Sequence, residues 1–201
     1  MNKSDIIIIG AGPGGYETAL AAAKEGKSVT LFNGGRLGGT CLNEGCIPTK
    51  CLCKNAEVIS TLREADKFGI DDFSFSLDYR QVVARKENVV GQLREGIAMM
   101  LRSANVNVVE AMAAFKNECA VVAEGVEYTA DNIIIATGSD SRSLPIEGST
   151  LECVKDSSDM LSIEYIPESL IIIGGGVIGL EFASIFASFG SRVTVIEFMK
   201  Q

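Results

Sequence analysis

The sequence predicts an α/β fold built from two copies of one strand–glycine turn–helix–strand unit. Two observations carry this. Asp5–Ile9 is a continuous run dominated by β-branched residues, the pattern of a strand buried on both faces, and it leads straight into a glycine cluster. The string IIIIGAGPGG at 6–15 then returns as LIIIGGGVIG at 170–179. Between the copies lie a long helical segment and several short strand-like pieces.

The elements follow in order. Gly10–Gly15 is a loop. Tyr16–Lys24 is Ala-rich and helical, and Gly26 stops it. Ser28–Phe32 is a short strand. Asn33–Thr40 holds four glycines and reads as an open loop. A helix starts near Cys41 or Cys46 and runs to about Ala65. Asp78–Ala104 has helical periodicity, with Val82, Val89, Leu93, Ile97 and Leu101 on or near one face. Val106–Val109 is a third strand. Ala113–Phe115, Ala120–Ala123 and Val126–Thr129 read as a β-meander inserted before a buried strand, Asn132–Ala136. Ser139–Ser158, polar and holding Pro145 and Gly148, is the linker candidate. Leu170–Ile173, Gly174–Gly179, Leu180–Phe189 and Arg192–Ile196 repeat the opening unit. The expected domains are 1–148 and 149–201.

Composition narrows the function. The chain has 201 residues, 47% hydrophobic and 22% charged, with 26 acidic against 18 basic side chains and a net charge of −8. That mix fills a globular core. The acidic balance argues against nucleic acid and against an anionic membrane surface. His is absent, which removes imidazole metal sites and a His general base from these residues. The opening apolar run is too short for a secretory signal, so a cytoplasmic location is expected. Of six cysteines, Cys41, Cys46, Cys51 and Cys53 fall within thirteen positions. Clustered in such a compartment, they read as redox-active or metal-binding rather than as a structural framework.

Three motifs carry chemistry. Gly10-x-Gly12-x-x-Gly15, with Pro13 and Gly14 inside it, follows a strand and opens a helix, the context of a dinucleotide fingerprint. The first Gly allows the turn, the second lets backbone approach a pyrophosphate, and the third lets helix pack on strand. An acidic residue is expected at the end of the next strand, but Asn33 stands there. Gly174-x-Gly176-x-x-Gly179, with Val177 and Ile178 inside it, is the second fingerprint. Glu197 ends its following strand, 23 positions after Gly174. A carboxylate there accepts from ribose hydroxyls and repels a 2′-phosphate, which favours NAD over NADP. The pair implies two Rossmann-like nucleotide-binding folds in tandem.

The third motif is Gly38-Gly39-Thr40-Cys41-Leu42-Asn43-Glu44-Gly45-Cys46-Ile47-Pro48-Thr49-Lys50. Two cysteines five apart at a loop-to-helix transition can approach for a disulfide if the backbone turns there. A helix N-terminus and a nearby Lys favour exchange-competent thiolates. Two buried structural cysteines is the alternative. The spacing C-x4-C-x4-C-x-C fits none of the zinc or iron–sulfur spacings, so no metal is assigned.

The string GGTCLNEGCIPTK closely resembles the redox-disulfide motif of the flavoprotein disulfide reductases, in the variant of their dihydrolipoamide dehydrogenase branch. IGAGPGGYETALAAAKEG and IIIGGGVIGLEFAS are similar to the same branch, and the three motifs fall in the family's order. The resemblance implies that Gly10–Gly15 binds the FAD pyrophosphate. Asn33, Gly34, Gly35, Arg36, Gly39 and Thr40 would wrap its adenosine side. Ala113 would contact adenine, and Ala136-Thr137-Gly138 would close over the cofactor. Cys41 would be the interchange thiol and Cys46 the sulfur next to the flavin. Lys50, paired with Glu181, would sit beside it. Electrons would run from dihydrolipoyl dithiol through the disulfide and FAD to NAD.

The family's expected partners are the lipoyl groups of 2-oxo acid dehydrogenase or glycine cleavage complexes, with a homodimer for the complete enzyme. The family's later segments, which include a His-Glu acid-base pair, have no counterpart here. The chain is therefore expected to be an N-terminal portion, inactive alone. Asn33 and Ser141 depart from the family pattern. A mercuric reductase-like enzyme and a non-catalytic flavin-binding module are the alternatives.

Overall fold

A computed structural model describes residues 2–72 and 74–199. The chain divides into two compact units, Met1–Glu44 with Val90–Arg142 and Gly45–Val89 with Ser143–Gln201.

The first unit is a six-stranded sheet. β1 (Asn2–Ile9), β2 (Val29–Phe32), β3 (Asn107–Val109), β4 (Ala114–Asn117), β5 (Ala120–Ala123) and β6 (Val126–Ile135) lie in the order β3-β2-β1-β6-β5-β4. The first four strands of that order are parallel, and β5 and β4 add antiparallel. β1 is central, which is why its isoleucines alternate with nothing polar: Ile7 and Ile8 are fully buried. Ile7, Ile9, Phe32, Val121, Ala123 and Ala130 form one apolar cluster, and Phe32 meets Tyr128 edge-on at 5.1 Å. Each fully buried Ile, Val or Phe among them contributes roughly 1.5–3 kcal/mol. α1 (Pro13–Lys24) starts with Pro at its first turn and buries Gly15 and Ala19. Small residues on that face let the helix approach the sheet.

Two expected strands, Val126–Thr129 and Asn132–Ala136, are one. β6 runs unbroken for ten residues and changes partner along its length. Val126–Thr129 pairs antiparallel with β5, while Tyr128–Ile135 pairs parallel with β1. Asp131, polar and between the two expected pieces, lies exposed on the strand.

The second unit carries a parallel pair, β7 (Ser169–Ile173) and β8 (Arg192–Ile196), joined by α6 (Val177–Phe189). The helical segment 45–89 belongs here. α3 (Cys46–Arg63) places Leu52, Ala56 and Ile59 in one core with Phe182, Ile185, Phe186 and Phe189 of α6. α2 (Gly39–Glu44) is separate from α3 and lies in the first unit. α5 (Ser157–Ser162) begins inside the expected linker, set by a capping box in which Asp156 and Asp159 each accept the other's backbone N–H.

α4 (Tyr79–Ser103) supplies both units. Its buried line is Val82, Lys86, Val90, Ile97 and Leu101, whereas the expected Leu93 is 44% exposed. The difference is Lys86. Its ammonium is buried, donating to the Leu161 carbonyl and pairing with Glu87 at 2.8 Å, and its stem occupies a position that periodicity gives to an apolar residue. No helix among the described residues is long and apolar enough to cross a membrane.

Candidate functional site

The first glycine turn is closed by backbone. Gly10 N donates to the Phe32 carbonyl at 2.9 Å, and Ala136 N donates to that of Ile9 at 2.8 Å. Gly10 has φ +106°, and a Cβ there would stand 2.1 Å from the Ala136 oxygen. A Cβ on Gly15 would stand 1.8 Å from the Gly10 oxygen, so the third glycine is what lets α1 pack on the turn. Gly12 caps α1 in extended conformation, without a side-chain acceptor. Pro13 has no N–H and Gly15 N turns back to the Gly12 carbonyl at 2.9 Å, so it is the Gly14 amide that the first turn of α1 leaves to an anion sitting before it.

The loop that follows is laid across this turn. A Cβ on Gly39 would stand 2.6 Å from Gly12 Cα, so the two glycines meet backbone to backbone. Gly34, Gly35, Arg36 and Thr40 are exposed, and Arg36 is paired with Glu44. Asn43 fixes the loop. Its Nδ2 donates to the carbonyls of Leu37 at 3.0 Å and Gly39 at 2.9 Å, while its Oδ1 accepts from Arg94 Nε at 3.0 Å and Nη2 at 2.6 Å. Neither Asn43 nor Arg94 is evident as a site residue from sequence. The signal was a side-chain amide inside a glycine loop, where turn-stabilising bonds are common.

Asn33, at the end of β2, is 6% exposed and donates through Nδ2 to Glu110 Oε2 at 2.6 Å. Ala113 and Ala136 are half-buried near the ends of their strands, and Thr137 and Gly138 are exposed. Gly138, at φ +78°, lets the chain leave the sheet.

In the second unit the turn is rebuilt with the same parts. Gly174 has φ +109° and its N donates to the Ile196 carbonyl at 2.8 Å. A Cβ on Gly179 would stand 2.2 Å from the Gly174 oxygen. Gly176 caps α6 without a side-chain acceptor, and Val177 and Ile178 are exposed at its start. The Glu197 carboxylate accepts from Gly175 N and from Met199 N, each at 2.6 Å. The Met199 and Gly175 amides hold its carboxyl below the usual carboxylate range.

Cys46 is the first residue of α3 and is exposed. Lys50 lies one turn on, so the two share a helix face. Lys50 pairs with Glu181 of α6, and that hydrogen bond, with the negative charge of Glu181, raises the lysine pKa above its ordinary value. Cys53, on the same helix, is pushed up by burial and by Glu181. Cys41 stands on α2, half-buried, in the first unit. Among the described residues no group of His, Cys, Asp and Glu is arranged to hold a metal ion.

Known proteins give the same reading over the whole chain. A dihydrolipoyl dehydrogenase of Bacillus subtilis (strain 168) is 44% identical over 198 residues, covering 96% of this chain and 43% of that protein. One from Acholeplasma laidlawii is 42% identical over 200 residues, covering 97% and 60%. The chain thus spans about half the length of these curated relatives. Among solved structures, the HOCl-induced flavoprotein disulfide reductase RclA from Escherichia coli superposes with TM-score 0.82 at 36% identity, covering 95% of this chain and 41% of that one. Its Cu(II) complex superposes at 0.84. The profile of the family described as "Pyridine nucleotide-disulphide oxidoreductase" matches residues 4–201, and the chain belongs to that family.

Proposed function

We propose that the chain holds FAD at its first glycine turn and carries, in Cys41 and Cys46, the dithiol–disulfide pair of a dihydrolipoyl dehydrogenase. The observation that carries this is the Cys41-to-Lys50 string lying, in sequence, between the two glycine fingerprints of one family-matched chain. Functionally, 1–148 is the FAD-binding domain and 149–201 opens the NAD-binding domain. This division follows the fingerprints, whereas packing places 45–89 with the second.

The residues present fit the cofactor. The Gly14 amide and the positive end of α1 suit a pyrophosphate, and the Gly12–Gly39 contact leaves no side chain in its way. Gly10, Pro13, Gly14, Gly15, the loop 33–40, Ala113 and 136–138 would hold FAD. Gly174, Gly176–Gly179 and Glu197 would hold NAD. Bound there, FAD supplies the two-electron chemistry that connects a thiol pair to nicotinamide.

The chain's own part is thiol exchange. A substrate thiolate attacks Cys41 Sγ of the Cys41–Cys46 disulfide. The S–S bond breaks and Cys46 leaves as thiolate. The second substrate thiol, after losing its proton, attacks the substrate sulfur of the mixed disulfide and releases Cys41. The substrate leaves as a disulfide, and two electrons rest on the cysteine pair. Lys50 supplies a fixed positive charge one turn from Cys46, and Glu181 orients it. The substrates of the reading are lipoyl groups on 2-oxo acid dehydrogenase or glycine cleavage complexes, and the assembly a homodimer in the cytoplasm.

The test is reconstitution. The purified chain is first oxidised with a mild disulfide reagent, then mixed with FAD, desalted, and its visible spectrum recorded before and after one equivalent of dihydrolipoamide. The reading expects retained flavin and, by thiol counting, two new protein thiols per equivalent of dithiol in the absence of NAD. A chain that gains no thiols is not a dithiol oxidant.

A further inference from the structure

β2 and β3 end side by side at the edge where the first glycine turn lies. Phe32 is in register with Val109, and Asn33 N donates to the Val109 carbonyl at 2.8 Å. The next residue on each strand is therefore Asn33 on one and Glu110 on the other. Their side chains are bonded, Asn33 Nδ2 donating to Glu110 Oε2 at 2.6 Å. Asn33 is buried and Glu110 exposed.

In this kind of fold the ribose hydroxyls of the dinucleotide adenosine are donors that look for a carboxylate at the end of the second strand. The second unit supplies one in that position: Glu197 follows Gly174 by 23 residues, as Asn33 follows Gly10. Asn33 offers much less. Its NH2 is turned to Glu110, and what remains is one neutral carbonyl oxygen on a buried residue. A carboxylate has two oxygens with room for about four hydrogen bonds. Glu110 spends one of these on Asn33 and keeps the rest at an exposed strand end. Met112, 77% exposed, marks the same rim, since its Sδ lies where a Cβ on Gly34 would fall, at 2.1 Å.

We propose that the ribose acceptor of the first nucleotide site has moved one strand over, from β2 to β3: Glu110 binds the adenosine ribose hydroxyls, and Asn33 is the positioning residue that holds its carboxylate there. This rests on the reading of the first turn as an FAD site. It also explains how the position after β2 can lose its charge without the site losing a carboxylate. An acid at position 33 would instead face Glu110, and two carboxylates at hydrogen-bond distance cannot both ionise freely.

The test is a binding titration, independent of turnover. FAD and an FAD analogue carrying 2′,3′-dideoxyadenosine are titrated into the wild-type chain, Glu110→Gln, and Asn33→Asp/Glu110→Gln, following flavin fluorescence. Glu110→Gln weakens FAD by about 10- to 100-fold, the loss of a charged acceptor. The wild type discriminates against the dideoxy analogue by a similar factor, and Glu110→Gln binds the two alike. The double variant, which returns the acid to β2 and gives it an amide partner on β3, recovers FAD affinity to within about threefold. Glu110 is exposed, so circular dichroism of the variants matches wild type. FAD affinity and dideoxy discrimination unchanged in Glu110→Gln overturn the inference while leaving the FAD site standing. A wild-type chain that takes up no FAD at all overturns the site and the inference together.

Discussion

Lys50 on α3 is paired with Glu181 on α6, 131 residues away in sequence. The pair ties the helix that begins at Cys46 to the helix of the second glycine turn, two helices that also share the core of Leu52, Phe182 and Phe186. Its pH dependence follows from the raised lysine pKa. Below the ordinary lysine value Lys50 keeps its charge in the folded and the unfolded chain alike. The pair's stabilisation is present below that value of 10.5 and is lost as pH rises through the higher value of the folded state. The stability difference between wild type and Glu181→Gln, measured by urea unfolding, should be constant from pH 7 to 9 and vanish in strong alkali. A difference that widens with alkaline pH would show that another group dominates.

The glycines of the first turn are not equivalent. Gly10→Ala puts a Cβ into the Ala136 carbonyl at φ +106° and should cost roughly 2–4 kcal/mol. Gly14 stands inside α1 with nothing within 4 Å of its would-be Cβ. Gly14→Ala should therefore leave stability unchanged or raise it by roughly 0.5–1 kcal/mol. Thermal denaturation of the two variants checks this. Equal losses would mean that the turn is set by something other than backbone crowding.

These contrasts also show how much could be read from sequence. The glycine turns, β1, β5, β8 and the helices after each turn were legible because local pattern fixes them: a buried strand, a positive-φ glycine, a helix start. The partner change along β6 was not, because Asp131 looks like a turn residue until β1 and β5 are both in place. Lys86 broke the face expected for α4, since only tertiary contact with Leu161 shows why a charge is buried there. The packing of 45–89 on α6, and the meeting of Asn33 with Glu110 across 77 residues, are likewise long-range facts. The two glycine fingerprints and the Cys41-to-Lys50 string could be picked out as candidates from local pattern, whereas Arg94 and Glu110 come to the loop and the strand end from distant sequence.

Glu197 should set nucleotide choice at the second turn. Its carboxylate is held at the strand end by Gly175 and Met199 amides, and those bonds keep it ionised well into the acid range. A fixed negative charge there repels a 2′-phosphate. The wild-type site should prefer NADH to NADPH by about tenfold or more, and Glu197→Gln should erase most of that preference. Fluorescence titration with both nucleotides measures it. A preference unchanged in the variant would put the discriminating group elsewhere.

Redox partnership between Cys41 and Cys46 can be read from a disulfide map. The chain carries exposed thiols at Cys119 and Cys153 as well as Cys46, so unselective oxidation has other outlets. After mild oxidant, alkylation and non-reducing digestion, mass spectrometry should find Cys41 linked to Cys46, with Cys51, Cys53, Cys119 and Cys153 alkylated. Cys41 and Cys46 both alkylated, or linked to other cysteines, would mean that they are not redox partners.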